Sequence, residues 1–284
     1  MISPVLKTTK TEFVKWITNP RMIVFFVMII FIKTVAIEPL MARADKMGLP
    51  LNILEPFIAV GNSELLAMLI PAVFLVLMSD FPIIGGNTLF FISRTGRTRW
   101  FLGQMLFSLT AISVYVFSVM LFSALFSIGN SEFGDWWSDS TRFYAFRFPE
   151  DQDLFVAALL PANLYNQIGL FTATLHTFAF TVLYLFLLCE IIFLFKILGL
   201  RMAGLISAVV VIAIGVATTS LRETAMWFSP MGNTIIWLHY TEILREPIKP
   251  VPYSYIYFAI LILAVFALAF VAVKKANFNT LEDN

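Results

Sequence analysis

The chain has 284 residues, of which 60% are hydrophobic and only 13% are charged, and its formal net charge is +1. A typical soluble domain is about half apolar and about a quarter charged, so this composition excludes a soluble enzyme, a disordered protein and a disulfide-stabilised secreted scaffold. The small net charge provides no basic field for nucleic acid, and no nucleic-acid partner is expected. The composition predicts an all-α polytopic membrane protein embedded in a lipid bilayer.

Residues 1–20 are predicted to form an N-terminal helix that lies in the membrane interface. On a helical wheel, Phe13, Trp16 and Ile17 share an apolar face, whereas Thr8 lies on the opposite, polar face. An amphipathic helix of this kind rests in the headgroup plane before the first span. An extended basic tail is the alternative interpretation.

Residues 21–284 are predicted to form one transmembrane domain with six spans. A bilayer-spanning helix needs ~20 mostly apolar residues. The predicted spans are 22–37, 64–81, 100–128, 171–197, 202–220 and 253–273. The outer loops are 129–170 and 221–252, and the second loop contains two short apolar pieces that predict a re-entrant hairpin between spans five and six.

The distribution of basic residues predicts the orientation. With the N-terminus inside, most Lys and Arg residues fall on short inner segments, and most acidic residues fall outside. The positive-inside rule therefore predicts that both termini are cytoplasmic.

Motifs of enzyme active sites are missing from the sequence. It contains neither a Gly-x-x-x-x-Gly-Lys-Ser/Thr loop nor a His-Glu-x-x-His motif, so neither ATP hydrolysis nor metal chemistry is expected from this chain. His176 is interpreted as a hydrogen-bonded helix residue rather than a metal ligand. Lys33, in the first span, is expected to pair with Glu38 or to extend its amine toward the interface.

Glu190 lies in the fourth predicted span and is a candidate polar residue of a transport path. The alternative is an ion pair with Lys196 or Arg201 near the inner interface. The residues considered as structural or path-lining polar groups are Lys33, Asp80, His176 and Glu190.

The segment between spans two and three is the most informative. Asn87 is predicted to cap a short helix that runs through Ser93, and Gly96 is predicted to end it. A short helix that ends in arginine suits docking into a groove of a soluble partner, because guanidinium groups bind carboxylates through paired hydrogen bonds. The candidate coupling residues are Asn87, Ile92, Arg94, Arg97, Arg99 and Trp100. A positive-inside anchor with an interfacial tryptophan is the alternative.

This segment resembles the permease subunits of bacterial type-2 ABC exporters. The similar residues are Ser79-Asp80-Phe81-Pro82, then Ile92-Ser93-Arg94-Thr95-Gly96-Arg97, Trp100 and Gly103-Gln104, with Gln104 where many relatives carry lysine. In that family the stretch is similar to the coupling helix that docks on the ATPase. Asp80 is expected to stabilise the bend of this coupling segment by accepting hydrogen bonds from Arg94 or Arg97.

The resemblance implies an exporter of amphipathic or hydrophobic substrates in the bacterial cytoplasmic membrane. Its expected partners are separate ABC ATPase subunits, which carry the ATP and Mg, and a second permease copy or a homologous permease; this chain itself needs no cofactor. The alternative functions are an ion-coupled secondary transporter and a non-transporting membrane sensor or immunity subunit.

Overall fold

The structure is a computed structural model that describes residues 4–84, 86–151, 154–221, 224–241 and 248–278, without the side chains of residues 86–89 and 91. The described chain is mostly helical, with almost no strand. Its α-helices are α1 (Pro4–Ile17), α2 (Met22–Ile32), α3 (Glu38–Met47), α4 (Glu55–Asn62), α5 (Glu64–Leu77), α6 (Gly86–Thr95), α7 (Arg97–Ser127), α8 (Asp139–Arg147), α9 (Phe155–Leu159), α10 (Ala162–Tyr165), α11 (Leu170–Ile197), α12 (Arg201–Ser220) and α13 (Val251–Lys275). The shorter elements are a π-helical turn (Lys33–Ile37), four 3₁₀ turns (Ile128–Asn130, Pro149–Asp151, Thr224–Phe228 and Ile236–His239) and two strands, β1 (Leu51–Asn52) and β2 (Ser131–Glu132).

Among the described residues, five helices are long and apolar enough to cross a membrane: Met22–Met47, Arg97–Asn130, Leu170–Ile197, Arg201–Ser220 and Val251–Lys275. Helices α4 and α5 make a sixth only if they count as one span, because the chain bends by 83° between them. The predicted all-α, multi-pass character is therefore confirmed.

The first membrane helix is longer than its predicted bounds of 22–37. The π-helical turn joins α2 to α3, and the helix continues to Met47. Charged residues after residue 37 suggested a loop, but Leu40, Ala44 and Met47 form a buried face in that stretch. The helix ends at Gly48, whose φ of 69° suits a glycine at a helix C-terminus.

Helix α7 is the centre of the bundle. Its Tyr115 is buried between Phe25 and Phe74, and its hydroxyl donates a hydrogen bond to the carbonyl of Ile70 at 2.9 Å. The contact joins α2, α5 and α7. By contrast, α2, α12 and α13 expose large apolar side chains such as Ile23, as expected of lipid-facing helices.

Helix α1 packs against α7 through small and polar residues. Thr8 is 3% exposed beside Gly103, and the Thr9 hydroxyl donates to the Gly103 carbonyl at 3.1 Å. The prediction that Thr8 lies on the solvent face is therefore wrong. The reason is that glycine at position 103 lets α1 approach closely, whereas apolar Leu6 and Ile17 stay about half exposed.

The two ends of the bundle differ in character. The end that carries α1, α6 and the junctions α5–α6 and α11–α12 is called the basic end, after Arg21, Arg97, Lys196 and Arg201. The other end is covered by residues 129–151 and 154–170, which are called the cap. The cap contains α8, α9 and α10, and its β2 pairs in parallel with β1.

The cap is joined to the bundle by a buried carboxylate. Glu55, at the start of α4, accepts hydrogen bonds from the Ser138 backbone N–H at 2.6 Å and from the Ser138 and Thr141 hydroxyls at 2.8 Å each. Ser138 is also the N-cap of α8. Glu55 thus fixes the first turn of α8 to the start of α4.

Residues 224–241, in the predicted second outer loop, form two compact 3₁₀ turns that are largely buried. Asn62, at the end of α4, accepts a hydrogen bond from the Ile236 N–H at 2.7 Å, and its carbonyl accepts one from the Trp237 indole at 3.0 Å. Asn233 donates to the carbonyls of Trp227 and Ser229. These bonds pair backbone groups that would be costly to bury unpaired.

Candidate functional site

Asp80 is the centre of a charged cluster at the basic end. Its carboxylate accepts hydrogen bonds from Arg21, just before α2, and from Arg201, at the start of α12, the latter at 2.6 Å. Its carbonyl accepts one from the Lys196 amine of α11 at 2.5 Å. Arg21 also donates to the Ser79 hydroxyl at 2.9 Å. One aspartate therefore connects the α1–α2 junction, the end of α5 and the α11–α12 turn.

These partners differ from the expected ones. Asp80 was expected to bind Arg94 or Arg97, and that prediction is wrong. The Arg97 guanidinium donates instead to the carbonyls of Val273 and Lys274, near the end of α13. The last carbonyls of a helix lack intrahelical partners and attract cations, which explains this placement.

Helix α6 is a short helix between two turns at the basic end. It ends where Gly96 adopts a φ of 85°, a conformation that favours glycine, and α7 begins at the next residue. Gly96 therefore ends the helix as predicted. Asn87 lies in the first turn of α6 rather than before it, and its side chain is outside the described part of the structure.

Four of the candidate coupling residues on and after α6 differ in accessibility. Ile92 is 8% exposed and belongs to the core. Arg94 and Arg99 are exposed and form no ion pair with any described residue. Arg97 is exposed as well, but its guanidinium is bound to the carbonyls near the end of α13. The exposed guanidinium groups of this segment without a described ion pair or carbonyl partner are therefore those of Arg94 and Arg99; Phe90, on the same helix as Arg94, is 74% exposed.

Trp100 is not part of the exposed surface of this segment. It is 2% exposed, and its ring packs against Phe193 of α11 at 5.9 Å and against Phe278 at 5.4 Å. This burial contradicts the alternative interpretation of Trp100 as an interfacial tryptophan, whereas its coupling role stays a prediction. Trp100 instead anchors the first turn of α7 to α11.

Lys33 and His176 have local partners. The Lys33 amine lies 3.4 Å from a Glu38 carboxylate oxygen, as predicted, and 5.5 Å from the centre of the Phe126 ring. His176 shares a hydrogen bond of 2.7 Å with the Tyr255 hydroxyl, in agreement with a hydrogen-bonded helix residue. Lys33 and His176 both lie far from Asp80 along the bundle.

Glu190 is fully buried in α11, and its two oxygens have no hydrogen-bond partner among the described residues. The ion pair with Lys196 or Arg201 is therefore contradicted. Both of those cations are bound by Asp80.

Sequence reasoning missed the roles of Arg21, Lys196 and Arg201 as partners of Asp80. A signal was present for two of them: Lys196 and Arg201 flank Gly199, whose φ of 79° marks a tight turn that brings them to one end of the bundle. Among the described residues, no group of three His, Cys, Asp or Glu side chains is placed to hold a metal ion.

Comparison of the chain with protein-family models, with curated proteins and with solved structures finds no match.

Proposed function

We propose that this chain is the transmembrane permease subunit of an ATP-driven exporter, which works with a separate ATPase and a second permease subunit. The basic end faces the cytoplasm with both termini, in a bacterial cytoplasmic membrane. Helices α4 and α5 count as one bent span, which gives six spans, and residues 224–241 act as a re-entrant segment on the outer side. The substrate class is amphipathic or hydrophobic.

The observation that carries the proposal is the position of α6. It is a ten-residue helix at the basic end, with Arg94 exposed at its last turn and Arg99 exposed just beyond it. An exposed guanidinium that pairs with no described residue, on a short helix, suits a carboxylate-bearing groove in a soluble partner. The chain contains no phosphate-binding loop, so in this proposal the soluble partner is the separate ATPase that hydrolyses ATP.

Anchors on both sides of α6 support a mechanical role. Before it, Asp80 holds Lys196 of α11. After it, Trp100 packs on Phe193 of the same helix. A displacement of α6 is therefore transmitted to the last turns of α11 from two sides, as a change from inward to outward access requires.

The test asks whether an ABC ATPase is encoded beside this chain and co-purifies with it, and then measures substrate-stimulated ATP hydrolysis in lipid nanodiscs. The double variant Arg94→Glu/Arg99→Glu reverses the exposed charges without touching Asp80 or Trp100. We expect loss of co-purification or at least a tenfold loss of stimulation, equivalent to about 1.4 kcal/mol of coupling.

The matched control is Arg142→Glu/Arg147→Glu, which reverses two exposed arginines of the cap and should leave the ATPase bound. Intact binding and stimulation in the α6 variant would refute the docking role. Transport that needs an ion gradient and no ATPase would establish a secondary transporter instead, a candidate favoured by the broken α4–α5 pair and the buried Glu190. ATPase binding without any transport would indicate a sensor or immunity subunit.

A further inference from the structure

His239 lies in a buried hydrogen-bond network at the capped end of the bundle. Its Nδ1 lies 2.8 Å from the Lys249 carbonyl oxygen, and its Nε2 lies 3.2 Å from the Ser254 hydroxyl oxygen. The Ser254 hydroxyl also lies 2.7 Å from Oδ1 of Asn233. His239 is 4% exposed, and Ser254 and Asn233 are each 0% exposed. The partners within this network therefore decide where its protons lie.

Two backbone carbonyls fix the orientation of the Asn233 amide. Its Nδ2 donates to the Trp227 carbonyl at 3.0 Å and to the Ser229 carbonyl at 2.8 Å. The reversed amide would place its oxygen against two oxygens that can only accept. Oδ1 therefore faces Ser254, and because Oδ1 is an acceptor, the Ser254 hydroxyl proton lies between these two oxygens.

Both ring nitrogens of His239 must then be donors. The Lys249 carbonyl can only accept, so Nδ1 carries a proton. The single hydroxyl proton of Ser254 is directed to Asn233, so the Ser254 oxygen accepts from Nε2. A neutral imidazole has one N–H, whereas an imidazolium has two. Every bond in the network is therefore formed only when His239 is an imidazolium cation.

Aromatic rings beside His239 suit a cation. The centre of its ring lies 4.9 Å from that of Trp227 and 6.0 Å from that of Phe180. A cation within about 6 Å of an aromatic ring centre is attracted by the ring face, most strongly by that of tryptophan. Trp227 belongs to the first 3₁₀ turn of residues 224–241, and His239 belongs to the second. The charged ring therefore connects both turns with the start of α13.

The other titratable groups around His239 have their own partners or are tyrosines and one lysine. Glu55 is bound to Ser138 and Thr141 of the cap, and His176 is bound to Tyr255. The described titratable groups on the elements around His239 are Glu55 of α4, Tyr165 of α10, His176 and Tyr184 of α11, Tyr240, Lys249, and Tyr253, Tyr255 and Tyr257 of α13. Beyond Tyr184, α11 runs toward the basic end. Histidine is the side chain that ordinarily changes its charge between about pH 5 and pH 8.

We propose that His239, Ser254 and Asn233 form a proton-binding site that fastens residues 224–241 to the start of α13. With both ring protons, His239 donates to Lys249 and Ser254 at once. Loss of one proton leaves Ser254 with a single hydroxyl proton for two acceptors, Nε2 of His239 and Oδ1 of Asn233. One buried group then loses its partner, which is costly, and the contact with α13 weakens. This inference does not depend on the ATPase partner.

The test is ¹⁵N NMR of the full-length protein, labelled at histidine, in lipid nanodiscs. The pH range runs from about 4 to about 9, which brackets the ordinary titration of histidine near 6.5. The chain contains two histidines, and His176→Gln assigns their signals. At low pH both ring nitrogens of His239 should carry protons. As the pH rises, Nε2 should lose its proton while Nδ1 keeps the one that it donates to Lys249.

Ser254→Ala removes the acceptor of the Nε2 proton. We expect the midpoint of the His239 titration to fall by about one pH unit, which is a tenfold loss of proton affinity. The matched control is Thr234→Val, which removes a buried hydroxyl of the same segment that donates to the Met231 carbonyl. Its midpoint should equal that of the wild type. The wild-type spectra decide the protonation state even if Ser254→Ala fails to fold.

Hydrogen exchange tests the effect on residues 224–241. After correction for the intrinsic pH dependence of exchange, their amides should exchange faster as the pH rises through the His239 midpoint. His239→Gln has no proton to lose at this position and should show no such step.

Four results would overturn the proposal. They are a single ring proton on His239 at the lowest pH, two ring protons retained at the highest pH, an unchanged midpoint in Ser254→Ala, and hydrogen exchange without a step in the wild type.

Discussion

Adding a single methyl group at Gly103 should displace helix α1 from the bundle. A Cβ at this position would lie 2.6 Å from the Thr8 Cβ and 2.9 Å from the Thr8 Cγ2. Carbon atoms in good contact lie about 3.5–4.0 Å apart, so α1 must move by about 1 Å. That movement lengthens the hydrogen bond of 3.1 Å from Thr9 to the Gly103 carbonyl beyond a useful distance.

The expected cost of Gly103→Ala follows from these two effects. Overpacking of a close contact typically costs about 1–3 kcal/mol, and losing the hydrogen bond costs about 1 kcal/mol more. The measurement is thermal or denaturant unfolding in detergent, together with protease sensitivity of α1. Gly129→Ala is the matched control, because nothing lies within 4 Å of its new Cβ. Its stability should stay within about 0.5 kcal/mol of the wild type.

A compensating substitution at Thr8 tests whether the clash with Thr8 causes the loss of stability. Thr8→Gly removes the atoms that the new methyl group would strike, so the double variant Thr8→Gly/Gly103→Ala should recover stability relative to Gly103→Ala alone. A double-mutant cycle isolates this coupling. Gly103→Ala with wild-type stability and protected α1, or a loss that Thr8→Gly does not relieve, would refute the reasoning.

Two further predictions concern the ends of the bundle. Asp80→Asn leaves two cations, Arg21 and Arg201, without their counter-charge. Because the paired groups are partly exposed, we expect a modest loss of thermal stability in detergent, of about 1 kcal/mol, that shrinks as salt is added. A loss that does not depend on salt would contradict this prediction. In the cap, hydrogen bonds from Lys46 and Tyr144 hold the pKa of Asp151 below its ordinary value. A carboxyl group whose pKa is lowered in the folded state stabilises the fold when the pH is above its unfolded-state pKa of about 3.9. This stabilisation is lost as the pH falls through the folded-state pKa. The protease sensitivity of the cap should therefore rise on acidification in the wild type, and it should rise less in Asp151→Asn.

The long membrane helices were predictable because uncharged runs mark them directly. The span predicted at 171–197 corresponds to a helix at Leu170–Ile197, and that at 202–220 to one at Arg201–Ser220. A run of this kind is a local property of the chain, and its length has to match the bilayer. The composition of a stretch therefore decides whether it spans.

The ends of these helices were less predictable. Arg43 and Lys46 suggested a loop, yet they lie in α3 because distant groups receive them: Arg43 donates to the Val156 carbonyl, and Lys46 pairs with Asp151. The buried helix α4 has no local signal either, since its eight residues depend on contacts formed by the cap and by residues 224–241. Contacts between segments far apart in sequence decided both cases.

In the candidate site, too, some features follow from local sequence and others depend on contacts between distant segments. The short helix and its end at Gly96 follow from local sequence, and the structure contains both. The partners of Asp80 and the burial of Trp100 depend on where α11 and α13 lie, which the segment itself does not encode. Gly103 was noted only as part of a motif, and the packing of Thr8 supplies a physical reason for a glycine there.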